Sequence, residues 1–143
     1  MIISVAMIVK NEESVILRAL DCWSKIVDEI IIVDTGSTDS TEVLCKHRPK
    51  VKFFHSEFFD KDTAIENFSF SKAKNEALRR CQGDWIFWAD ADDFITDENI
   101  EKIKRLPFNV NHAYSFTVRS GMVSFEHTRL IPNGSGIFFN EQH

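Results

Sequence analysis

Apolar residues run along this chain in short unbroken blocks, separated by polar turns. Ile2 to Val9, Glu29 to Val33 and Trp85 to Ala89 are apolar on both faces, the pattern of strands buried on both sides of a sheet. Val51 to His55 reads as a further strand. Helical spacing fills the intervals. Asn11 can cap a helix that carries Val15, Ile16, Ala19, Leu20 and Trp23, with Glu12 and Glu13 in its first turn. Thr35 to Thr41 is a turn leading into a short helix through about Lys46, capped by Ser37 or Asp39. Phe70 to Cys81 places Ala73, Ala77 and Leu78 on one helical face, and Gly83 ends that segment. Ser56 to Asn67 has no clear period and reads as loop.

After Asp93 the pattern predicts a helix with Thr96 as N-cap, Asp97 and Glu98 in the first turn, and Ile100, Ile103 and Leu106 facing inward, stopped by Pro107. Residues 113–119 and 122–131 alternate as strands, joined at Ser120-Gly121 in a hairpin. Pro132 to Gly136 is a turn, and Ile137 to Phe139 starts another strand. Alternating strands and helices imply an α/β fold: a mostly parallel sheet flanked by helices, with a C-terminal antiparallel hairpin. Open parallel sheets bind ligands at the carboxyl ends of their strands. Lys10-Asn11-Glu12, Asp34 and Asp90 to Asp93 all fall at such ends, so three separate segments point at one crevice.

Composition narrows the function classes. A length of 143 residues fits one domain with a substantial core. A net charge of −5 and no Lys/Arg run longer than two argue against phosphate-backbone binding, so no nucleic-acid partner is expected. Cys22, Cys45 and Cys81 are odd in number and lack C-x-x-C spacing, which argues against a disulfide framework or a zinc site. The apolar start is short, lacks a basic leader and meets Lys10-Asn11-Glu12-Glu13 at once; no signal peptide or transmembrane segment is expected, and the cytoplasm is the default location.

The chemistry concentrates in Trp85-Ile86-Phe87-Trp88-Ala89-Asp90-Ala91-Asp92-Asp93. Two like charges at about 4 Å repel by about 1 kcal/mol in water and about 4 kcal/mol near a protein surface. Three carboxylates at the end of a buried strand therefore need a cation, helix N-termini or open water. On an extended backbone Asp90 and Asp92 point the same way, which suits a hard cation with oxygen ligands and positions left for phosphates. An EF-hand is excluded because Ile95 stands where its loop needs glycine. Val33 to Thr41 is not a P-loop, and the chain has no G-x-G-x-x-G. Lys72 and Lys74 could reach a diphosphate if their helix N-terminus faces the crevice, whereas Arg79 and Arg80 read as a solvated face.

The segments MIVKNEE, IIIVDTGSTDST, SKAKNEALRRCQGDWIFWADADD and RLIPNGSGIFF, in this order and at these separations, resemble the inverting glycosyltransferase family 2 with its GT-A (Rossmann-like) fold. The resemblance covers nearly the whole chain. It is similar to the bacterial branch that glycosylates proteins or surface glycans. It implies a single domain, with residues 1–93 as the nucleotide-sugar-binding half and 94–143 as the start of the acceptor side. It implies that Met7 to Val9, with Glu12 beyond them, line the base pocket, that Asp34 accepts a hydrogen bond from the base, typically uracil, and that Asp39 sits beside the nucleoside. Lys74 and Asn75 match a segment near the diphosphate, with lysine in place of the family's arginine and so without its bidentate fork. Asp90 would touch the ribose or a metal-bound water, Asp92 would bind Mn²⁺ or Mg²⁺, and Asp93 would assist. The partners so implied are a nucleotide-sugar donor and a glycan, protein or lipid-linked acceptor.

The family takes its catalytic base from beyond the aspartate motif. Glu141 and Glu126 are the late carboxylates here, each an ordinary surface residue on its own merits. Relatives are usually longer, so the chain reads as a C-terminally truncated catalytic domain. Two other readings stand beside an active transferase: a nucleotide-sugar-binding module without turnover, and a sugar nucleotidyltransferase. The last generally carries a glycine-rich basic loop after strand one, where this chain has Lys10-Asn11-Glu12-Glu13.

Overall fold

The computed structural model describes residues 1–57 and 70–136. Six strands form one sheet in the order β3-β2-β1-β4-β6-β5: β1 (Ile3–Val9), β2 (Glu29–Asp34), β3 (Val51–His55), β4 (Trp85–Trp88), β5 (Tyr114–Ser120) and β6 (Val123–Pro132). The first four are parallel, and β6 runs antiparallel to both β4 and β5. The α/β sheet and its antiparallel C-terminal part thus follow the expectation from the sequence. The predicted strand at Ile137 to Phe139 and part of the 56–67 loop lie outside the described residues.

Helices cover both faces. On one side lie α1 (Ile16–Trp23), α2 (Thr41–Lys46) and α4 (Asp97–Lys104). There Val5, Met7, Val9, Ile30, Ile32 and Phe87 pack against Ile16, Leu20, Trp23, Cys45 and Ile103. On the other side α3 (Phe70–Arg80) sets Ala77 and Leu78 against Ala6, Ile31, Val33, Ile86 and Trp88. All six residues of β2 and all four of β4 are buried, which is why these strands read as unbroken apolar blocks. Thr96 caps α4 as its sequence predicts, its hydroxyl oxygen accepting the Asn99 N–H at 3.2 Å. Arg80 departs from the solvated face expected of it: it bonds Glu76 at 3.2 Å and lies over the Phe54 ring.

The β5–β6 hairpin is longer than its berth. Phe87 pairs with Leu130, and β4 ends one residue later, so Val123 to Thr128 with Ser115 to Ser120 form a two-stranded arm running past the carboxyl edge of the sheet. The register puts Phe116, Val118, Val123 and Phe125 on one face of the arm and Thr117, Arg119, Ser124 and Glu126 on the other.

At the opposite edge a buried acid ties three segments together. Glu29 accepts from the Ser4 hydroxyl at 2.5 Å, from Lys52 Nζ at 2.9 Å and from the Gln82 N–H. The Ser4 hydroxyl oxygen in turn accepts the Gly83 N–H at 2.8 Å. Burial alone pushes the Glu29 carboxyl up, but these hydrogen bonds outweigh it and leave the group below its ordinary value of 4.5. Gly83 is required by this packing, because a Cβ there would stand 2.5 Å from Ser4 Oγ and 2.9 Å from the Ile2 carbonyl oxygen.

Two outcomes follow for urea unfolding. Gly83→Ala should cost about 1–3 kcal/mol through overpacking. Glu29→Gln should cost about 1–3 kcal/mol at pH 7. A lowered folded-state value gives stability that is present above the unfolded value and is lost as pH falls through the folded one. The gap between Glu29→Gln and the parent chain should therefore close below about pH 4; a gap that stays constant to pH 3 would contradict the network.

Candidate functional site

The strand order reverses between β1 and β4, so their carboxyl ends open a crevice. Two loops clasp one another there. Asn11 has φ 53°, a left-handed conformation that asparagine tolerates. Its Oδ1 accepts the Thr38 N–H at 2.7 Å and the Asp39 N–H at 3.3 Å. The Glu12 N–H donates to Thr41 Oγ1 at 2.8 Å, and the Glu13 N–H to Asp39 Oδ2 at 3.3 Å. This corrects the cap assigned to Asn11 from the sequence. The helix α1 begins only at Ile16, its N-cap is Val15 without a side-chain bond, and no acid lies in its first turn. The polar residues after β1 are spent on the neighbouring loop instead.

Asp34 is buried and shapes that loop. It accepts the Ser37 hydroxyl at 2.5 Å and the N–H groups of Ser37 and Gly36 at 3.2 and 3.4 Å. Asp39 accepts the Thr41 N–H at 2.9 Å and the Thr41 hydroxyl at 2.5 Å, which supplies the start of α2 with the acceptor that its N-cap residue Ser40 lacks. Partial burial pushes the Asp39 carboxyl up, but the bonds from Thr41 and Glu13 outweigh it and hold the group below its ordinary value.

The aspartates of the β4 loop meet in a turn, not on the extended backbone expected from D-x-D spacing. The Asp93 N–H donates to the Asp90 carbonyl at 3.0 Å, and the Asp90 N–H to Asp93 Oδ2 at 2.9 Å. The turn still gathers the charges: one carboxylate oxygen from each of Asp90, Asp92 and Asp93 lies within 4.8 Å of the others. Sequence reasoning missed Arg129 of β6. Its guanidinium reaches Asp93 Oδ2 at 3.2 Å, Asp90 Oδ2 at 3.4 Å and the Trp88 carbonyl at 3.3 Å, while only 5% of the residue is exposed. The available signal was an arginine opening the otherwise apolar run Leu130-Ile131-Pro132.

Burial pushes the Glu12 carboxyl up, and the neighbouring charges of Asp92, Asp39 and Asp90 push it further. The three loops therefore sense one another electrostatically. Burial likewise raises Asp93, with Asp90 and Asp92 adding to the rise, against the pull of Arg129 and of the Asp90 N–H. Val9 is buried beneath these loops. Lys74 lies 5.4 Å over the ring of Trp88, the last residue of β4, which brings the start of α3 to the same edge. Asn75 is 1% exposed. Glu126 sits on the arm opposite Thr117, and Glu141 lies outside the described residues.

Residues 4–119 match the family model described as Glycosyl transferase family 2. The chain belongs to that family. Among curated relatives it is 31% identical over 147 residues to a TPR repeat-containing protein of Synechococcus elongatus, covering 99% of this chain and 34% of that protein. It is 30% identical to the glycosyltransferase SunS of Bacillus subtilis, covering 73% of this chain and 23% of that protein. The chain thus spans about a third or less of these relatives. S. aureus TarS in complex with UDP is similar in structure, with a TM-score of 0.57 and 26% identity over 73% of this chain and 31% of that one. So is M. tuberculosis glucosyl-3-phosphoglycerate synthase in complex with Mn²⁺, UDP-glucose and phosphoglyceric acid, with a TM-score of 0.52 and 26% identity over 65% and 35% of the two chains. No helix of this family-2 chain, among the described residues, is long and apolar enough to cross a membrane.

The raised acids of this glycosyltransferase-family crevice make a pH-dependent expectation. A carboxyl raised above its unfolded value contributes stability below that value and loses it as pH rises through the folded one. At pH 7 the ionised Asp93 carboxylate is thus a burden that a divalent cation would relieve, and near its ordinary value of 3.8 it is not. If Mn²⁺ binds there, the rise in thermal midpoint that it produces should be clear at pH 7.5 and shrink as pH falls toward about 4. An equal rise at both would contradict binding at these carboxylates.

Proposed function

We propose that this chain carries the donor-binding half of a metal-dependent glycosyltransferase, which moves a sugar from a nucleotide-sugar, with UDP as the nucleotide, to an acceptor hydroxyl with inversion. The observation that carries the reading is the convergence of Glu12, Asp39 and the Asp90–Asp93 turn at the switch point of the sheet. The UDP-bound and Mn²⁺-bound structures of similar proteins support it.

In this reading residues 1–93 hold the donor and 94–143 begin the acceptor side. Val9, Glu12 and Asp39 border the nucleoside. Asp34 meets the base and, since its carboxylate is buried and engaged by loop N–H groups, also fixes the shape of that loop. Lys74 and Asn75 serve the diphosphate. The donor set fits a hard cation: three carboxylates, with Asp92 exposed and the Arg129 contacts to Asp90 and Asp93 both made through Oδ2. Asp92 would be the principal ligand, with Asp90 and Asp93 beside it. Bound there, Mn²⁺ or Mg²⁺ would neutralise charge developing on the leaving nucleoside diphosphate. A carboxylate must take the proton of the attacking hydroxyl. The acceptor is a glycan, a protein or a lipid-linked saccharide.

A second reading, donor binding without turnover, is favoured by Glu126, the late carboxylate among the described residues, which stands exposed on the arm opposite Thr117. Calorimetric titration of UDP and GDP, with and without Mn²⁺, tests the donor site common to both readings. UDP should bind in a Mn²⁺-dependent way, and Asp92→Ala should abolish that dependence while leaving the fold intact. If neither nucleotide binds a demonstrably folded sample, the donor-site reading fails.

A further inference from the structure

We infer that Arg129 is a built-in counter-ion for the cation site: it occupies the charge-neutralising role at Asp90 and Asp93 while no metal is bound, and so sets how weakly the site holds one. This rests on the metal-binding reading above. Arg129 is a positioning residue, acting through the two carboxylates.

Four features carry the inference. First, the guanidinium is buried with its terminal nitrogens turned to the triad, and it reaches both flanking carboxylates from one side chain. Second, its contacts of 3.2–3.4 Å are loose for charge-assisted bonds, which are ordinarily about 2.7–2.9 Å. A loosely held partner yields readily to a cation competing for the same oxygens. Third, Arg129 Nε is buried without a hydrogen-bond partner among the described residues, so the side chain is not placed to satisfy its own polar atoms. Fourth, the other arginine at this loop is arranged differently. Arg18 donates to the Asp92 carbonyl at 3.3 Å and stacks over Phe94, touching backbone and ring rather than the carboxylates.

Charge arithmetic gives the direction. Removing one positive charge beside the carboxylates should tighten Mn²⁺ binding by about tenfold or more. It should also destabilise the metal-free protein, because two partly buried carboxylates lose their partner.

The test is Mn²⁺ titration of the complete chain without nucleotide or sugar, read by electron paramagnetic resonance of free Mn²⁺ and by thermal midpoint. The variants are Arg129→Gln, Arg129→Lys and Arg18→Gln. The expected result is a lower metal-free midpoint and at least about tenfold tighter Mn²⁺ binding for Arg129→Gln, with Arg129→Lys and Arg18→Gln close to the parent chain. Equal or weaker binding by Arg129→Gln, while the parent binds Mn²⁺ normally, would overturn the counter-ion role and leave the metal site standing. No Mn²⁺ binding by any folded variant would overturn both. If Arg129→Gln folds only when Mn²⁺ is present, the metal has replaced the arginine, and the inference holds. If Arg129→Gln stays unfolded even with Mn²⁺, Arg129→Lys decides: Mn²⁺ binding within threefold of the parent supports the role, and a loss of binding overturns it.

Discussion

Like charge crowded at one edge of the sheet is the constraint that organises this molecule. The strands β1, β2 and β4 are buried almost throughout, so polar groups can leave them only at their ends. At the carboxyl end the chain places Glu12, Asp34, Asp39, Asp90, Asp92 and Asp93. Each cluster is made tolerable by different means. Asp34 and Asp39 are met by N–H and hydroxyl groups of their own loop, Asp90 and Asp93 by a guanidinium from β6, and Asp92 by exposure. The clasp between the β1 and β2 loops, the closure of the aspartate turn and the burial of Arg129 all answer this single electrostatic demand.

What the sequence made legible was whatever depends on near neighbours along the chain. The buried strands show as apolar blocks, α4 shows through its Thr96 cap, and the convergence of acids follows from the rule that parallel sheets bind at their carboxyl ends. What escaped depends on partners distant in sequence. Asn11 has the right residue type and position for a cap, yet its oxygen finds the N–H groups of Thr38 and Asp39, 27 and 28 positions away. Arg129 lies 39 positions from Asp90, and only the antiparallel register of β6 on β4 brings them together. The D-x-D spacing by itself suggests an extended backbone, but Asp93 accepts the Asp90 N–H and folds the segment into a turn. The charges converge in either geometry, because three carboxylates within four positions gather on a turn as they do on a strand.

The two edges of the sheet also differ in kind. At the amino end, Glu29, Ser4, Lys52 and Gly83 form a closed network in which every contact serves the fold. At the carboxyl end, Asp34 and Asp39 are held as closely by their own loop, while Asp92 is left exposed and Asp90 and Asp93 meet Arg129 at 3.2–3.4 Å. Glu29 and Asp39 are lowered by the hydrogen bonds that they accept, whereas Glu12 and Asp93 are raised by burial and by the acids beside them.

The position of β1 between β2 and β4 has a consequence for the newborn chain. Its partner β2 follows within about 20 residues of backbone, but β4 arrives roughly 80 residues later, which at roughly 5–20 residues per second is about 4–16 s of synthesis. Through that interval β1, β2 and β3 can associate while one side of the most central apolar strand has no partner. The loops after β1 and β2 are thus assembled first. The aspartate turn and its arginine come together only when β4 and then β6 close the open side, so the ribosome delivers the last acids of the crevice, and their counter-charge, at the end.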